Sequence, residues 1–179
     1  MNYNFLKKKR GQNNAGGPKS RLYLAHVEDF LVIEKPIDRL TATAVEELVI
    51  VSNDHTFDVD DGFLEIDTAQ TNSMISEELV SNGPDSGVKK INAEFIFPGS
   101  EEEVAGFELE WRYADVIILY PTLAGKIIQI GTEEIPARIE GAFKTGSLDS
   151  PEAGTAFTIT AYNSSLLFYN GVITKKTIA

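Results

Sequence analysis

Two groups of residues in this sequence have side chains that could do chemistry. The two histidines are candidate general bases: His26 lies within a predicted strand, and His55 follows Asp54, a candidate orienting acid. Adjacent residues on a strand point to opposite faces, however, which argues against a pair of Asp54 and His55. Glu101, Glu102 and Glu103 could supply paired carboxylates. Acids are also favoured in the first turn of a helix, near the positive end of its dipole, and we expect that structural role for the glutamates.

The segment FDVDDGFLE (57–65) resembles a calcium-binding loop but lacks most of its ligands. If Gly62 takes the sixth position of the loop, the first and third ligand positions hold Phe57 and Val59. The twelfth position holds Thr68 instead of the bidentate glutamate. We therefore expect no calcium site.

Other catalytic and cofactor motifs are also incomplete. GQNNAGGPKS (11–20) resembles a phosphate-binding loop, but Gly17 and Pro18 precede Lys19 and no predicted strand leads into it. No serine lies in a Gly-x-Ser-x-Gly elbow. The chain has no cysteine, which excludes disulfides, thiol nucleophiles and zinc sites of the cysteine type. The sequence predicts a protein that is not an enzyme and holds no metal or cofactor.

The elements that carry these residues are predicted to be mostly strands. Polar and apolar residues alternate, or apolar residues form short runs, in segments bounded by turn residues. In the first segment, Leu22 and Leu24 share one face with His26, and in the fourth, Ile91 shares a face with Phe95. The predicted strands are 21–30, 47–52, 62–69, 89–99, 115–120, 126–131, 137–145, 155–162 and 166–174.

One helix is predicted, at about 100–113. Ser100 and Glu103 have the spacing of a capping box, and three apolar residues that follow fall on one helical stripe. The stripe consists of Val104, Phe107 and Trp111. The sequence therefore predicts a β-sandwich or barrel with one flanking helix.

Two long polar stretches, 27–47 and 79–90, interrupt the predicted strands. The second contains Gly83, Pro84 and Gly87 and is typical of a protruding hairpin tip or loop. Loops of this length usually have a function, and without a catalytic cluster we expect contact with another subunit. Shorter loops are predicted at PTLAG (121–125), which suits a hairpin, and at GSLDSPEAG (146–154).

Charge is segregated along the chain. All 27 acids follow residue 21, whereas six of the 16 bases lie within residues 1–21, and the net charge is −11. These six are Lys7, Lys8, Lys9, Arg10, Lys19 and Arg21. We expect residues 1–20 to form a basic, flexible N-terminal arm on a single domain, 21–179. The acidic domain would repel phosphates, which favours an identical neighbour over DNA as the target of the arm, and a solvated leader is the alternative.

No apolar run of a secretory signal follows the first bases, and no segment approaches the length of a membrane span. We therefore expect no membrane partner.

The order of these elements resembles that of the tail tube (major tail) proteins of long-tailed bacteriophages, especially those that infect Bacteroidetes. The similarity spans about residues 21–174 and is clearest in FPGSEEEVAGF, IIQIGTEEIPA and FYNGVI. The resemblance implies a β-sandwich with a flanking helix that assembles into hexameric rings, and the rings stack into a hollow tube through which DNA passes. It also implies other tail proteins as partners, assembly in the host cytoplasm, a final location in the virion tail and no catalytic residues.

Two other classes of binding or structural protein remain open. A head-tail connector or tail terminator would share the fold type and the lack of catalytic residues, but would form one ring instead of a filament. A carbohydrate-binding β-sandwich would expose aromatic side chains on a flat face, whereas Trp111, the one tryptophan, lies on the predicted apolar stripe of the helix.

Overall fold

The computed structural model describes residues 16–69, 73–80, 87–98, 102–144 and 154–177. Within these ranges the chain forms strands that assemble into three sheets, and a single α-helix, α1 (Glu102–Trp111). The strands are β1 (Arg21–His26), β2 (Phe30–Val32), β3 (Ile50–Val51), β4 (Thr56–Phe57), β5 (Leu64–Asp67), β6 (Met74–Leu79), β7 (Lys89–Pro98), β8 (Val116–Pro121), β9 (Ile127–Ile130), β10 (Arg138–Lys144), β11 (Gly154–Asn163) and β12 (Leu167–Tyr169).

The largest sheet has six strands in the order β3-β12-β9-β8-β1-β5. Its pairs are antiparallel except for β3 and β12, which run parallel. The β8–β9 hairpin is closed by the predicted loop, in which Gly125 has a φ of 81°. A second sheet is entirely antiparallel, with the order β10-β11-β7-β6, and β2 pairs with β4 in a small third sheet.

The core consists of two apolar clusters on opposite faces of the six-stranded sheet. Between the two large sheets, Leu22 and Leu24 of β1 pack with Ile118 of β8 and with Phe95 and Phe157 of the four-stranded sheet. On the other face, a second cluster is covered by Phe30 and Phe57 of the small sheet; its buried members are Ala25, Val51, Phe63, Ile117, Leu119 and Tyr169. Strand β8 is buried on both faces, which explains its continuous apolar sequence VIILY.

The helix closes one side of the sandwich through the predicted stripe. Val104 and Trp111 are buried, and Phe107 stacks on Trp111 with ring centroids 5.3 Å apart. The prediction of a mainly β sandwich with one helix is thus confirmed, and the helix is shorter than predicted, at Glu102–Trp111. Ser100 and Glu101 lie outside the described residues, so the capping box stays a prediction.

Several predicted strands are interrupted, and β4, β6 and most of β2 lie outside the predicted strands. The segment 21–30 divides into β1 and a short 3-10 helix, Val27–Asp29, before β2 begins. The segment 47–52 contributes only β3, because a second 3-10 helix, Val45–Leu48, precedes it. Strand β6 was missed because MISEEL has no clear alternation, and only Ile75 among its side chains is partly buried.

Candidate assembly surfaces and the polar cluster that supports them

The predicted basic arm lies largely outside the described residues, including all of 7–10. Lys19 is exposed, and its backbone N–H donates to the Pro121 carbonyl oxygen at 2.7 Å. Arg21 begins β1 and forms ion pairs with Asp67 at 2.8 Å and with Glu65 at 3.0 Å. Residues 17–21 are therefore attached to their own domain, and Arg21 already has acidic partners there.

His55 occupies the centre of a buried polar cluster. It is 2% exposed, and its Nδ1 accepts a hydrogen bond from the Glu34 backbone N–H at 3.0 Å. Because Nδ1 accepts, the proton of the neutral ring lies on Nε2, which donates to Gln129 Oε1 at 3.1 Å. The Gln129 amide in turn donates from Nε2 to the Gly131 carbonyl oxygen at 3.2 Å. Each polar atom of the His55 ring thus has a partner.

Tyr169 extends the same cluster towards the C-terminal part of the chain. Its ring stacks on His55 with centroids 4.7 Å apart, and its hydroxyl accepts the His55 backbone N–H at 3.2 Å. The same hydroxyl donates to the Val172 carbonyl oxygen at 2.9 Å, while Asp54 Oδ1 accepts the Val172 N–H at 2.7 Å. Asp54 and His55 therefore have separate partners and do not form a base-acid pair.

Burial sets the ionisation of this cluster. Removal from water lowers the pKa of His55 and raises the pKa of the Tyr169 hydroxyl, so both groups are held in their neutral forms. The Gln129 bond and the more distant charges of Glu34 and Asp54 only partly oppose the effect on His55. The neutral, enclosed ring thus joins the backbone of Glu34 to the side chain of Gln129 through its two nitrogens.

Gly131, whose carbonyl oxygen accepts from Gln129, allows the chain to pass close to the backbone of Val116 and Ala137. Its φ is 93°, and a Cβ at this position would lie 2.7 Å from the Ala137 nitrogen and 2.8 Å from the Val116 carbonyl oxygen. Gln129 and Gly131 belong to IIQIGTEEIPA, and Tyr169 belongs to FYNGVI. A lone glutamine within the apolar run IIQI was the signal in the sequence that a buried polar partner existed.

The remaining catalytic candidates have structural roles. His26 stacks on Trp111 with ring centroids 3.9 Å apart, and Trp111 is only 7% exposed. Glu102 and Glu103 are exposed in the first turn of α1. In the calcium-like segment, Asp61 pairs with Lys176 at 2.9 Å. Across the described residues, no cluster of three or more His, Cys, Asp or Glu side chains is arranged to hold a metal ion.

In the part of the chain that the structure describes, no helix has the length and apolar character that would let it cross a membrane.

The edges of the two large sheets differ in how they are protected. Strand β10 is covered by α1, whose Glu108 carboxylate accepts a hydrogen bond from the Gly141 N–H. Arg112 first, and this bond second, hold the pKa of Glu108 below its ordinary value. Strand β3 is only two residues long. On β6, Glu77 points to the inner face and pairs with Lys89 at 2.7 Å, an inward charge of the kind that blocks edge pairing.

Strand β5 has the least protected edge. The C-terminal segment forms backbone hydrogen bonds only with Phe63, the residue before β5. The Phe63 N–H donates to the Thr174 carbonyl oxygen at 2.8 Å, and the Phe63 carbonyl oxygen accepts the Lys176 N–H at 3.0 Å. Among the described residues, no strand pairs with the outer edge of Leu64–Asp67. Within the described ranges, the backbone groups on this edge of the sandwich are therefore unpaired with any strand, as edge pairing with another chain would require.

An apolar groove of about 380 Å³ opens between β5 and α1. Its apolar lining includes Leu64, Ile66, Phe95, Phe97, Val104 and Phe107. Glu103 stands at the groove as well, exposed at the beginning of α1. The groove thus combines aliphatic and aromatic side chains with three carboxylates, those of Glu65, Asp67 and Glu103.

Exposed aliphatic side chains are concentrated on two segments. In 31–40, Leu31 is 65% exposed and Leu40 is 94% exposed, and Val32 and Ile37 are also exposed. On the β6–β7 hairpin, exposed aliphatic residues flank the undescribed residues 81–86; they are Leu79, Val80 and Val88. Aliphatic side chains held out from a well-packed domain are typical of surfaces that contact another protein.

No protein-family model matches the chain, and no curated protein and no solved structure matches it.

Proposed function

We propose that this protein is a structural subunit of a phage tail, which self-assembles into stacked rings that form a tube for DNA. The observation that carries the proposal is the concentration of exposed aliphatic side chains on segment 31–40 and at Leu79, Val80 and Val88 of the β6–β7 hairpin. These side chains are held away from the domain core, where burial against another subunit would be favourable. The resemblance to tail tube proteins supplies the ring and tube geometry.

The polar cluster around His55 supports a mechanical role for segment 31–40. Glu34 is bonded to the cluster through its backbone, and its carboxylate accepts a hydrogen bond from Asn53 at 3.1 Å. Lys35 pairs with Glu133 at 2.9 Å and with Glu134. Because Glu34 and Lys35 bond the segment to the rest of the domain, its apolar side chains can be held in one geometry before assembly. The entropy cost of ordering the chain on association is then smaller.

The charge of the protein favours passage of DNA over retention. The net charge is −11, and binding to DNA gains affinity chiefly when bases neutralise phosphates and release counterions. An acidic wall offers few such contacts and would let the duplex slide. The protein in this proposal is not an enzyme, and its partners are copies of itself and other tail proteins.

A head-tail connector or tail terminator is the second candidate. It would use the same exposed segments but form one ring. In the carbohydrate-binding alternative, the buried ring of Trp111 is unavailable as a sugar platform, and the exposed rings of Tyr113, Phe143 and Tyr162 would have to serve instead.

Sedimentation velocity over a range of protein concentrations tests the proposal. The expected result is conversion of a monomer to large, closed or stacked assemblies as the concentration rises. A single monomeric species at every concentration would rule out self-assembly.

A further inference from the structure

We infer that Leu40 of one copy inserts into the groove between β5 and α1 of a second copy, with Arg39 paired to Glu103 at the groove. The inference rests on the proposed self-assembly and specifies one contact within it. It follows from two apolar features on different parts of the same chain, an exposed leucine and a groove, each with a charge of opposite sign beside it that is unpaired among the described residues.

Leu40 is presented by a compact turn. The Asp38 carboxylate accepts the Leu40 backbone N–H at 2.8 Å, and the Asp38 carbonyl accepts the N–H groups of Thr41 at 3.0 Å and of Ala42 at 2.9 Å. These bonds fix the backbone on both sides of Leu40, while its side chain is 94% exposed. A leucine held in water by an ordered turn gains free energy if an apolar surface covers it.

The groove has the properties that would receive such a side chain. Its volume of about 380 Å³ lies near the lower end of the range for small-ligand pockets, roughly 300–1,000 Å³. Phe97 and Phe107 in its lining are only partly buried, so they retain apolar surface that a further side chain could cover.

Charge selects the orientation of this contact. Arg39 is exposed beside Leu40, and within the described part of the chain it forms no ion pair. Glu103 at the groove is likewise without an ion pair to any described residue. The other carboxylates of the groove, Glu65 and Asp67, already pair with Arg21. Opposite charges left free beside a projecting leucine and beside an apolar groove favour their meeting.

The contact is heterologous, because the turn and the groove are different surfaces of the same molecule. A projecting residue that fits a pocket elsewhere on an identical copy leaves each pair with one free turn and one free groove. Further copies can then add until a ring closes or a filament grows. This is the type of contact that a ring or tube requires.

The test is sedimentation velocity on the full chain and matched variants, each at several concentrations. Leu40→Ser removes the apolar side chain, and we expect association to weaken by roughly 10- to 100-fold, the range for burial of one leucine. Val59→Ser is the matched control, because Val59 is also strongly exposed, at 83%, but lies on another turn. The control should associate as the parent does.

A charge exchange tests the pairing independently of the leucine. Arg39→Glu and Glu103→Arg should each weaken association, and the double variant should recover it, whereas Lys126→Glu, at another exposed position, should have no effect. All three positions are exposed, so circular dichroism should remain that of the parent. Glu103→Arg also removes an acid from the first turn of α1, so the melting temperature should fall slightly, and equally in the single and double variants that carry it. Recovery in the double variant requires that the two side chains meet.

The outcomes separate this contact from the broader proposal. If the parent associates but Leu40→Ser associates equally well, or the double charge variant remains as weak as the single ones, the contact is wrong and self-assembly stands. If the parent is monomeric throughout, both are wrong. Loss of association in Leu40→Ser together with recovery in the double charge variant supports the contact.

Discussion

Acidification should destabilise the folded chain through His55. Burial lowers the pKa of this histidine below its ordinary value of 6.5, so the unfolded chain binds the proton more tightly than the folded chain. The stability contributed by the neutral ring is therefore complete above pH 6.5. It is lost as the pH falls from 6.5 towards the lowered pKa of the folded state.

The magnitude follows from one proton and the bonds that it disturbs. Uptake of a single proton limits the pH dependence from His55 to about 1.4 kcal/mol per pH unit within that window. Nδ1 accepts the Glu34 backbone N–H at 3.0 Å, so protonation of Nδ1 would break this hydrogen bond and leave two N–H donors facing each other. A buried donor left without an acceptor costs about 1–3 kcal/mol, which is large against a total stability of 5–15 kcal/mol.

Urea unfolding at closely spaced pH values measures this effect. The parent should lose stability below pH 6.5 faster than His55→Gln, which cannot titrate, so the difference between them should shrink as the pH falls. The matched control is His26→Gln, which removes the other of the two histidines and leaves the buried cluster unchanged. Carboxylates contribute equally to all three proteins. Equal pH dependence in the parent and His55→Gln would refute the assignment of His55 as a buried neutral ring.

Three further predictions concern the core, a close backbone approach and the basic arm. Trp111→Ala should cost about 3–5 kcal/mol in urea unfolding, because the ring is 7% exposed; unchanged stability with lost sugar binding would support the carbohydrate-binding alternative. Gly131→Ala should destabilise more than Gly125→Ala in thermal melts, since both have positive φ but only Gly131 is crowded; equal effects would mean that the neighbouring backbone moves aside. Replacement of Lys7, Lys8, Lys9 and Arg10 with serine should leave circular dichroism unchanged. It should reduce light scattering from assemblies, and the reduction should be largest at low salt, where charges are screened least. Equal scattering at every salt concentration would mean that these bases are a solvated leader, and normal assembly with lost DNA binding would favour a nucleic-acid arm.

Much of the sandwich could be predicted because its main strands follow a period of two. Leu22 and Leu24 face the four-stranded sheet while Ala25 faces the small sheet, as alternation along β1 predicts. The helical stripe was also clear, since Val104 and Trp111 recur at helical spacing. Strand β6 could not be predicted in this way, because Glu77 occupies an inward position that alternation would assign to an apolar residue.

The buried polar cluster and the groove could not be predicted, because both depend on pairings between distant residues. Gln129 lies 74 positions after His55 in the chain, and Tyr169 lies 114 positions after it. The sequence marks Gln129 as unusual but does not identify its partner. The groove joins β5, β7, β11 and α1, and its opening at the edge of β5 follows from the strand order alone.

The side chains that segment 27–47 exposes could not be predicted from the sequence either. Its mixed charge and Pro36 indicated an irregular excursion, but the exposure of Leu40 depends on the turn at Asp38 and on ties from Glu34 and Lys35 to distant parts of the chain. Local sequence predicts a loop there. Only the folded chain shows which side chains the loop presents.

Negative-stain electron microscopy of the purified protein, at concentrations where sedimentation detects association, tests the central claim most directly. Stacked rings or hollow tubes are the predicted result. Single rings that never stack would replace the tail tube with a connector or terminator. Isolated monomers at all concentrations would contradict self-assembly, and with it the proposed role in a phage tail.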